Sequence, residues 1–353
     1  MGLIAVGIVG TGYAAKARAD ALQADGRSRL IAVAGRNLEK AQALSQPHEA
    51  EALASWQDLI ARSDIDLVVI ANVNRDHGTI VRAALQAGKH VVVEYPLALD
   101  IAEAESMIQL AAAQNLLLHV EHIELLSGIH LAIREALGAI GSPFYVRYAS
   151  LATQRPAPKK WTYYPDLFGF PLVGAVSRIH RLTHLFGQVS QVSCQARFWY
   201  RFPDSESLDS ESLDSESPDG EPLAISTPNF YTSCLCSAQL QFKSGLIADL
   251  TYGKGEAIWQ NERSLHIQGE TGAVLVEGQK GKLVLADQTH ELEMGSRQGL
   301  FAQDTGRILD YLTEGTPLYV TLESSLHALK VADAARRSAE LGHTVTVELP
   351  QSV

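Results

Sequence analysis

The chain has 353 residues, 46% of them hydrophobic, with 29 basic and 40 acidic side chains and a net charge of −11. Such a length exceeds what one core usually needs, so two domains are expected. No uncharged apolar run reaches the roughly 18 to 20 residues that cross a bilayer, and the first residues carry no basic region or cleavage site, so a cytoplasmic protein off the membrane is expected. Eight acidic residues fall in one stretch between Asp204 and Glu221, which leaves the rest of the chain at about −3 with no basic surface and argues against nucleic-acid binding. Cys194, Cys234 and Cys236 are too few and too badly spaced for a disulfide framework or a zinc site, and read as small core residues.

Taken in order, short β-branched runs at residues 3–9, 30–34, 66–71, 90–94 and 116–121 alternate with segments of helical period. Alternation of this kind marks βαβ units, and the nearly continuous apolar runs mark a parallel sheet covered on both faces. Ser55 reads as a helix N-cap, Asp100 with Glu103 as a capping box, and Gly88 as the residue closing a helix over 79–87. From about Pro143 the strands lengthen and alternate, at 144–151, 191–202, 231–242 and 246–252, with Lys243, Ser244 and Gly245 as a hairpin turn. Helical spacing returns at 300–313 and 323–341, so some helix is expected to pack back on the sheet or the first domain. Residues 204–222 repeat a six-residue acidic unit with almost no apolar content and read as part of a disordered insertion over about 203–228.

The first strand runs into Gly10, Thr11, Gly12, Tyr13, Ala14 and Ala15, a G-x-G-x-x-A loop that opens a helix. Gly10 allows the tight turn, Gly12 lets backbone approach a pyrophosphate, and Ala15 lets helix pack close on sheet, with the phosphates on the helix N-terminus. The predicted fold class is therefore α/β: an N-terminal Rossmann doubly wound parallel sheet over 1–125, then a C-terminal α+β domain over 126–353 with a large, mostly antiparallel open sheet. Where an NAD enzyme carries an acid after the second strand, this chain reads Gly35, Arg36, Asn37; Arg36 pairs well with a 2′-phosphate, so NADPH is expected over NADH. Ala71, Asn72, Asn74 and His77 follow the next long strand at the sheet edge where ligands of such folds gather, as do Glu94 and Tyr95 ahead of Pro96.

Across essentially its whole length the chain resembles the glucose-fructose oxidoreductase and inositol dehydrogenase family (Gfo/Idh/MocA). The resemblance rests on the Gly10 and Gly12 loop, on residues 87–96 ending in Glu94, Tyr95 and Pro96, and on the antiparallel domain behind them. Sugar-oxidising members carry a Lys inside the Glu-x-Pro tripeptide and a later catalytic His; here Tyr95 and Ser177 stand in those places. Within the family the chain is similar to the biliverdin reductases of cyanobacterial type. The matching stretches include 94–97, 117–126, 169–172 leading into Ser177, Arg178 and Ile179, then 156–158 with 161–163, and 252–256 with 260–262.

What this resemblance implies is reduction of the central methine bridge of biliverdin to bilirubin, with hydride from NADPH and a proton to a neighbouring pyrrole nitrogen. Arg178 is the first candidate to polarise the tetrapyrrole core, with water or Tyr95 supplying the proton, since a guanidinium is a poor acid. Arg181, one turn on, is a candidate for a propionate, and Glu121, His122 and Glu124 for orienting pyrrole nitrogens or relaying a proton. His180 and His184 have the spacing of a metal pair, but with no third ligand evident no metal is expected. Competing readings are an NADP-dependent sugar or dihydrodiol dehydrogenase and a non-catalytic NADP-binding sensor. The expected partner is a linear tetrapyrrole, and a monomer is favoured.

Overall fold

The computed structural model describes residues 2–200 and 230–348, so the acidic repeat and its expected insertion lie outside the described residues. The described residues form two compact units: 2–123 with 299–326, and 124–200 with 230–298 and 327–348.

In the first unit, β1 (Ile4–Val9), α1 (Tyr13–Asp25), β2 (Ser28–Ala34), α2 (Leu38–Ser45), β3 (Glu51–Leu53), α3 (Trp56–Ala61), β4 (Leu67–Ile70), α4 (His77–Gln86), β5 (His90–Val93), α5 (Ile101–Ala113) and β6 (Leu118–Val120) follow one another. The strands lie in the order β3-β2-β1-β4-β5-β6, and every pairing is parallel. Val6, Ile8, Val33 and Val69 are almost wholly buried, as parallel strands between helices require. Each such side chain contributes about 1.5–3 kcal/mol on leaving water. Ser55 caps α3 by accepting from Gln57 N and Asp58 N, Asp100 caps α5 by accepting from Glu103 N, and Gly88 follows α4 at φ +74°. Strand β3 was not expected; it is a three-residue, half-exposed edge strand with no hydrophobic alternation to announce it.

The second unit begins with α6 (Gly128–Ala136) and β7 (Pro143–Thr153), followed by the short helices α7 (Pro165–Phe168) and α8 (Pro171–Gly174) and then α9 (Ser177–Phe186). Strands β8 (Val189–Tyr200), β9 (Tyr231–Phe242), β10 (Ile247–Gly255), β11 (Glu262–Gly269), β12 (Gly272–Glu277), β13 (Lys280–Leu285) and β14 (Thr289–Leu292) complete most of its sheet. Its order is β14-β13-β12-β11-β7-β10-β9-β8-β15, where β15 is Val345–Thr346. All pairs are antiparallel except β7 with β10. Gly245 at φ +91° closes the expected β9–β10 hairpin, and Phe242 N donates to Leu246 O. The three cysteines are buried free thiols.

The helix α10 (Leu300–Glu314) belongs to the first unit and packs on α1, where Ile308 joins the core of Ala15, Ala19 and Leu22. Helix α11 (Leu322–Leu341) precedes β15. No helix of the described residues is long and apolar enough to cross a membrane.

Candidate functional site

The first unit offers a dinucleotide cradle at the carboxyl ends of β1 and β4, between which strand order reverses. Gly10 sits at φ +126°, and a Cβ there would lie 2.2 Å from Ala71 O, so only glycine lets this loop pass the end of β4. Gly12 is the N-cap of α1, has no side chain to cover the first-turn amides, and faces open space. Unblocked amides at a helix N-terminus are what a pyrophosphate needs. Thr11 packs its methyl so close to Gly35 that a Cβ there would meet it at 2.5 Å, which ties the loop to the end of β2. Ala14 is half-buried beside buried Ala15, while Tyr13 is 82% exposed with its ring edge-on to Phe301.

Arg36 follows β2, is exposed, and forms no ion pair among the described residues. Next to it Asn37 caps α2 by accepting from Lys40 N. The cradle thus fits a dinucleotide with a free cation, and no acid, at residues 35–37.

Asn72, Asn74 and His77 lie just past β4. His77 is fully buried; its Nδ1 is 2.7 Å from Pro96 O and its Nε2 3.3 Å from Asn72 O, and burial holds the imidazole below its usual pKa. It therefore braces the loop after β4 against the loop after β5. Buried Asn74 opens the 3₁₀ turn that carries the chain into α4.

The ends of β5 and β6 bring four expected residues together. Tyr95 and His122 stack with ring centroids 5.7 Å apart and planes 5° from parallel. Glu94 is partly exposed, and Glu121 is 1% exposed and accepts from Ile123 N at 2.6 Å. Burial first, and then the neighbouring Glu94 carboxylate, push the Glu121 carboxyl well above the usual range. Behind this pair lies a cluster the sequence did not disclose. Asp304 of α10 forms an ion pair with Arg18, Nη1 to Oδ2 2.6 Å, and through Oδ1 accepts from His119 Nε2 at 2.9 Å and the Tyr319 hydroxyl at 2.8 Å. Tyr319 Oη in turn accepts from His122 N at 3.4 Å.

In the second unit, α9 carries Arg178 and Arg181, but their heads diverge. Arg178 is half-buried, donates to Ser177 Oγ at 3.1 Å and stands 5.5 Å from the ring centre of Tyr252 on β10. Arg181 is 9% exposed and turns to Glu124, donating to Oε2 at 2.8 Å, with the Tyr148 hydroxyl of β7 at 3.5 Å. Glu124 also accepts from Arg297, a residue sequence reasoning passed over for want of any motif around it. Lys254, beside Arg178, lies in the matching stretch 252–256, where no local motif singles it out. It is buried among Phe168, Tyr163 and Tyr231, 4.3, 4.5 and 5.6 Å from their centroids, and burial brings its amine down to about 8. The distant stretches around 156 and 260 do meet: Ala157 N donates to Glu256 Oε1 at 2.9 Å and Thr153 N to Asn261 Oδ1 at 2.8 Å.

The cradle, the fold of each unit and their succession along the chain define a class of protein that comparison with known proteins makes specific. Residues 4–122 match the model of the oxidoreductase family, NAD-binding Rossmann fold, and residues 134–348 that of the oxidoreductase family, C-terminal alpha/beta domain. The chain belongs to this Gfo/Idh/MocA oxidoreductase family, as its motifs led one to expect. Among solved structures it is similar to the biliverdin reductase of Synechocystis sp. PCC 6803 in complex with biliverdin and NADP+, at 46% identity and a TM-score of 0.85, over 96% of this chain and 99% of that one. Mouse biliverdin reductase A is 34% identical over 140 residues, 39% of this chain. That alignment spans 44% of the mouse protein, less than half the length of the curated relative. The UDP-N-acetylglucosamine 3-dehydrogenase of Acidithiobacillus ferrooxidans shares the fold at 19% identity and a TM-score of 0.73, over 97% of this chain and 99% of that one.

Proposed function

We propose that the chain is an NADPH-dependent biliverdin reductase that converts the central methine bridge of biliverdin to the methylene of bilirubin. The observation that carries this is the 46% identity, along nearly the full length of both chains, to a biliverdin reductase in complex with biliverdin and NADP+. The residues agree with it: Tyr95 and Ser177 occupy the places where sugar-oxidising relatives use Lys and His, which removes the groups that would deprotonate an alcohol.

Gly10, Thr11, Gly12, Tyr13 and Ala14 hold the pyrophosphate, Arg36 the 2′-phosphate, and the segment from Ala71 and Asn72 through Asn74, braced by His77, the nicotinamide side together with Glu94 and Tyr95. Bound NADPH supplies the hydride. Arg178 polarises the tetrapyrrole so that the bridge carbon becomes electrophilic, a role a permanent cation performs without giving up a proton. Arg181, already balanced by Glu124, orients a propionate and confers little net charge. The protein acts as a cytoplasmic monomer: the outward positions of β9, Ser237, Gln239 and Gln241, are exposed and polar, and Asp249 of β10 is engaged by Tyr145 Oη at 2.7 Å. Light scattering at one chain's mass supports the monomer, and a dimer mass removes it. Spectrophotometry of biliverdin with NADPH tests the activity.

A further inference from the structure

Packing alone does not explain Lys254. It shares a face of β10 with Tyr252, two residues before it, and is 7% exposed. Around it stand Tyr231 and Cys234 of β9, Tyr163 of the 3₁₀ turn Trp161–Tyr163, Phe168 of α7 and Arg178 of α9. No carboxylate of the described residues pairs with it, and the one other cation near it, Arg178, repels it. A buried ammonium without a counter-charge is costly, and a methionine of similar length would fill a cage of three rings without that cost. What the ammonium adds is a directed grip. Its Nζ donates to Thr162 O, which also accepts from Tyr231 Oη at 2.9 Å, and its charge is attracted to the Phe168, Tyr163 and Tyr231 rings.

The segment so gripped leads directly to Arg178. Phe168 lies against Gly174 of α8, where a Cβ would stand 2.5 Å from the ring. Just beyond, Arg178 N donates to Ala175 O at 3.1 Å, which ties the start of α9 to the end of α8. The head of Arg178 then meets β10 again, 5.5 Å from the ring centre of Tyr252. One strand therefore holds the arginine at both ends, its helix start through Lys254, Phe168 and Gly174, and its guanidinium through Tyr252. Resting on the biliverdin reading, we infer that Lys254 is a positioning residue for Arg178: by clamping residues 162–168 to β10 it sets where the guanidinium stands on the tetrapyrrole. It acts through Arg178 and touches neither substrate nor cofactor. Displacing a reacting group by an ångström can cost about 100-fold in rate, which is reason enough to keep an ammonium where methionine would pack.

The test is a double-mutant cycle of Lys254→Met with Arg178→Ala. In the parent background Lys254→Met lowers kcat about 10- to 100-fold and leaves the KM values for biliverdin and NADPH within about threefold. In the Arg178→Ala background it changes kcat by less than about twofold, because the group it positions is already gone. A merely structural role lowers kcat by the same factor in both backgrounds, and that result overturns the inference. Should Lys254→Met not fold, Phe168→Leu, which opens the cage and parts the contact with Gly174, takes its place in the same cycle with the same two outcomes. Amide hydrogen exchange of the parent and Lys254→Met, free of biliverdin, supplies the second measurement. Exchange about tenfold faster over residues 162–178 and unchanged elsewhere supports the clamp, and unchanged exchange over 162–178 overturns it. That measurement needs neither substrate nor turnover, so it separates failure of the clamp from failure of the biliverdin reading.

Discussion

Arg181 donates to Glu124 at 2.8 Å, and this contact alters what each can do. An arginine so paired cannot act as a free cation towards a substrate, and Glu124 already accepts from both Arg181 and Arg297. We expect Arg181→Ala to raise the KM for biliverdin by about tenfold or less, to leave kcat within about threefold, and to lower stability by about 1–3 kcal/mol as the half-buried Glu124 loses a partner. Steady-state kinetics and urea melts check this. A collapse of kcat at unchanged KM would move Arg181 into the chemistry.

Arg36 stands exposed after β2 with no competing carboxylate at residues 35–37. A bidentate charge-assisted contact to phosphate contributes about 1.5–3 kcal/mol, so Arg36→Ala should lower kcat/KM for NADPH about 10- to 100-fold while NADH is little affected. Paired measurements with the two nucleotides read the selectivity directly. An equal fall with both would assign Arg36 to folding.

The stacked Tyr95 and His122 rings give a third expectation. If Tyr95 serves through its ring, Tyr95→Phe keeps kcat within about threefold, while Tyr95→Ala, which removes one face of the 5.7 Å stack, lowers it by 10-fold or more, an aromatic pair being worth about 0.5–1.5 kcal/mol beyond its area. A Tyr95→Phe variant as impaired as Tyr95→Ala would make the hydroxyl the proton donor.

The second unit buries three imidazoles in neutral form. Burial brings His130 and His180 down to about 3 and His327 to about 4; His130 shares a ring-to-ring hydrogen bond of 3.0 Å with His184, and His327 Nε2 accepts from Val189 N at 3.1 Å. Their folded pKa values lie below the unfolded value of 6.5, so the unfolded chain binds more protons. Stability is then full above about pH 6.5 and falls as the pH drops from there towards 3 to 4, by at most roughly 1.4 kcal/mol per histidine at pH 5.5. Urea melts at pH 7.5 and 5.5 should show that loss, and His180→Gln should lessen it. Equal stability at the two pH values contradicts it.

What the sequence disclosed and what it hid divide along chemical lines. Gly10 and Gly12 were legible because a backbone requirement, a positive φ or an uncovered helix end, forces the residue type locally. Ser55 and Asp100 were legible for the same reason. The pairing of Arg18 with Asp304 was not, since 286 positions separate residues that read as an ordinary helical Arg and an ordinary helical Asp. Strands β11 to β14 escaped separate notice because Gly269, Gly272 and Gly281 interrupt them and charged residues such as Lys280, Lys282 and Glu291 occupy their outer positions. Arg178 and Arg181 share a helix turn, so periodicity put them on one face; only the positions of Tyr252, Glu124 and Tyr148 part them.

The central claim is tested most directly by the absorbance of biliverdin over time with the pure protein and NADPH, alongside Arg178→Ala. The account expects the red biliverdin band to fall as the blue bilirubin band grows, faster with NADPH than with NADH, and slowed about 100-fold or more in Arg178→Ala. NADPH bound by the protein with the biliverdin spectrum unchanged would contradict it.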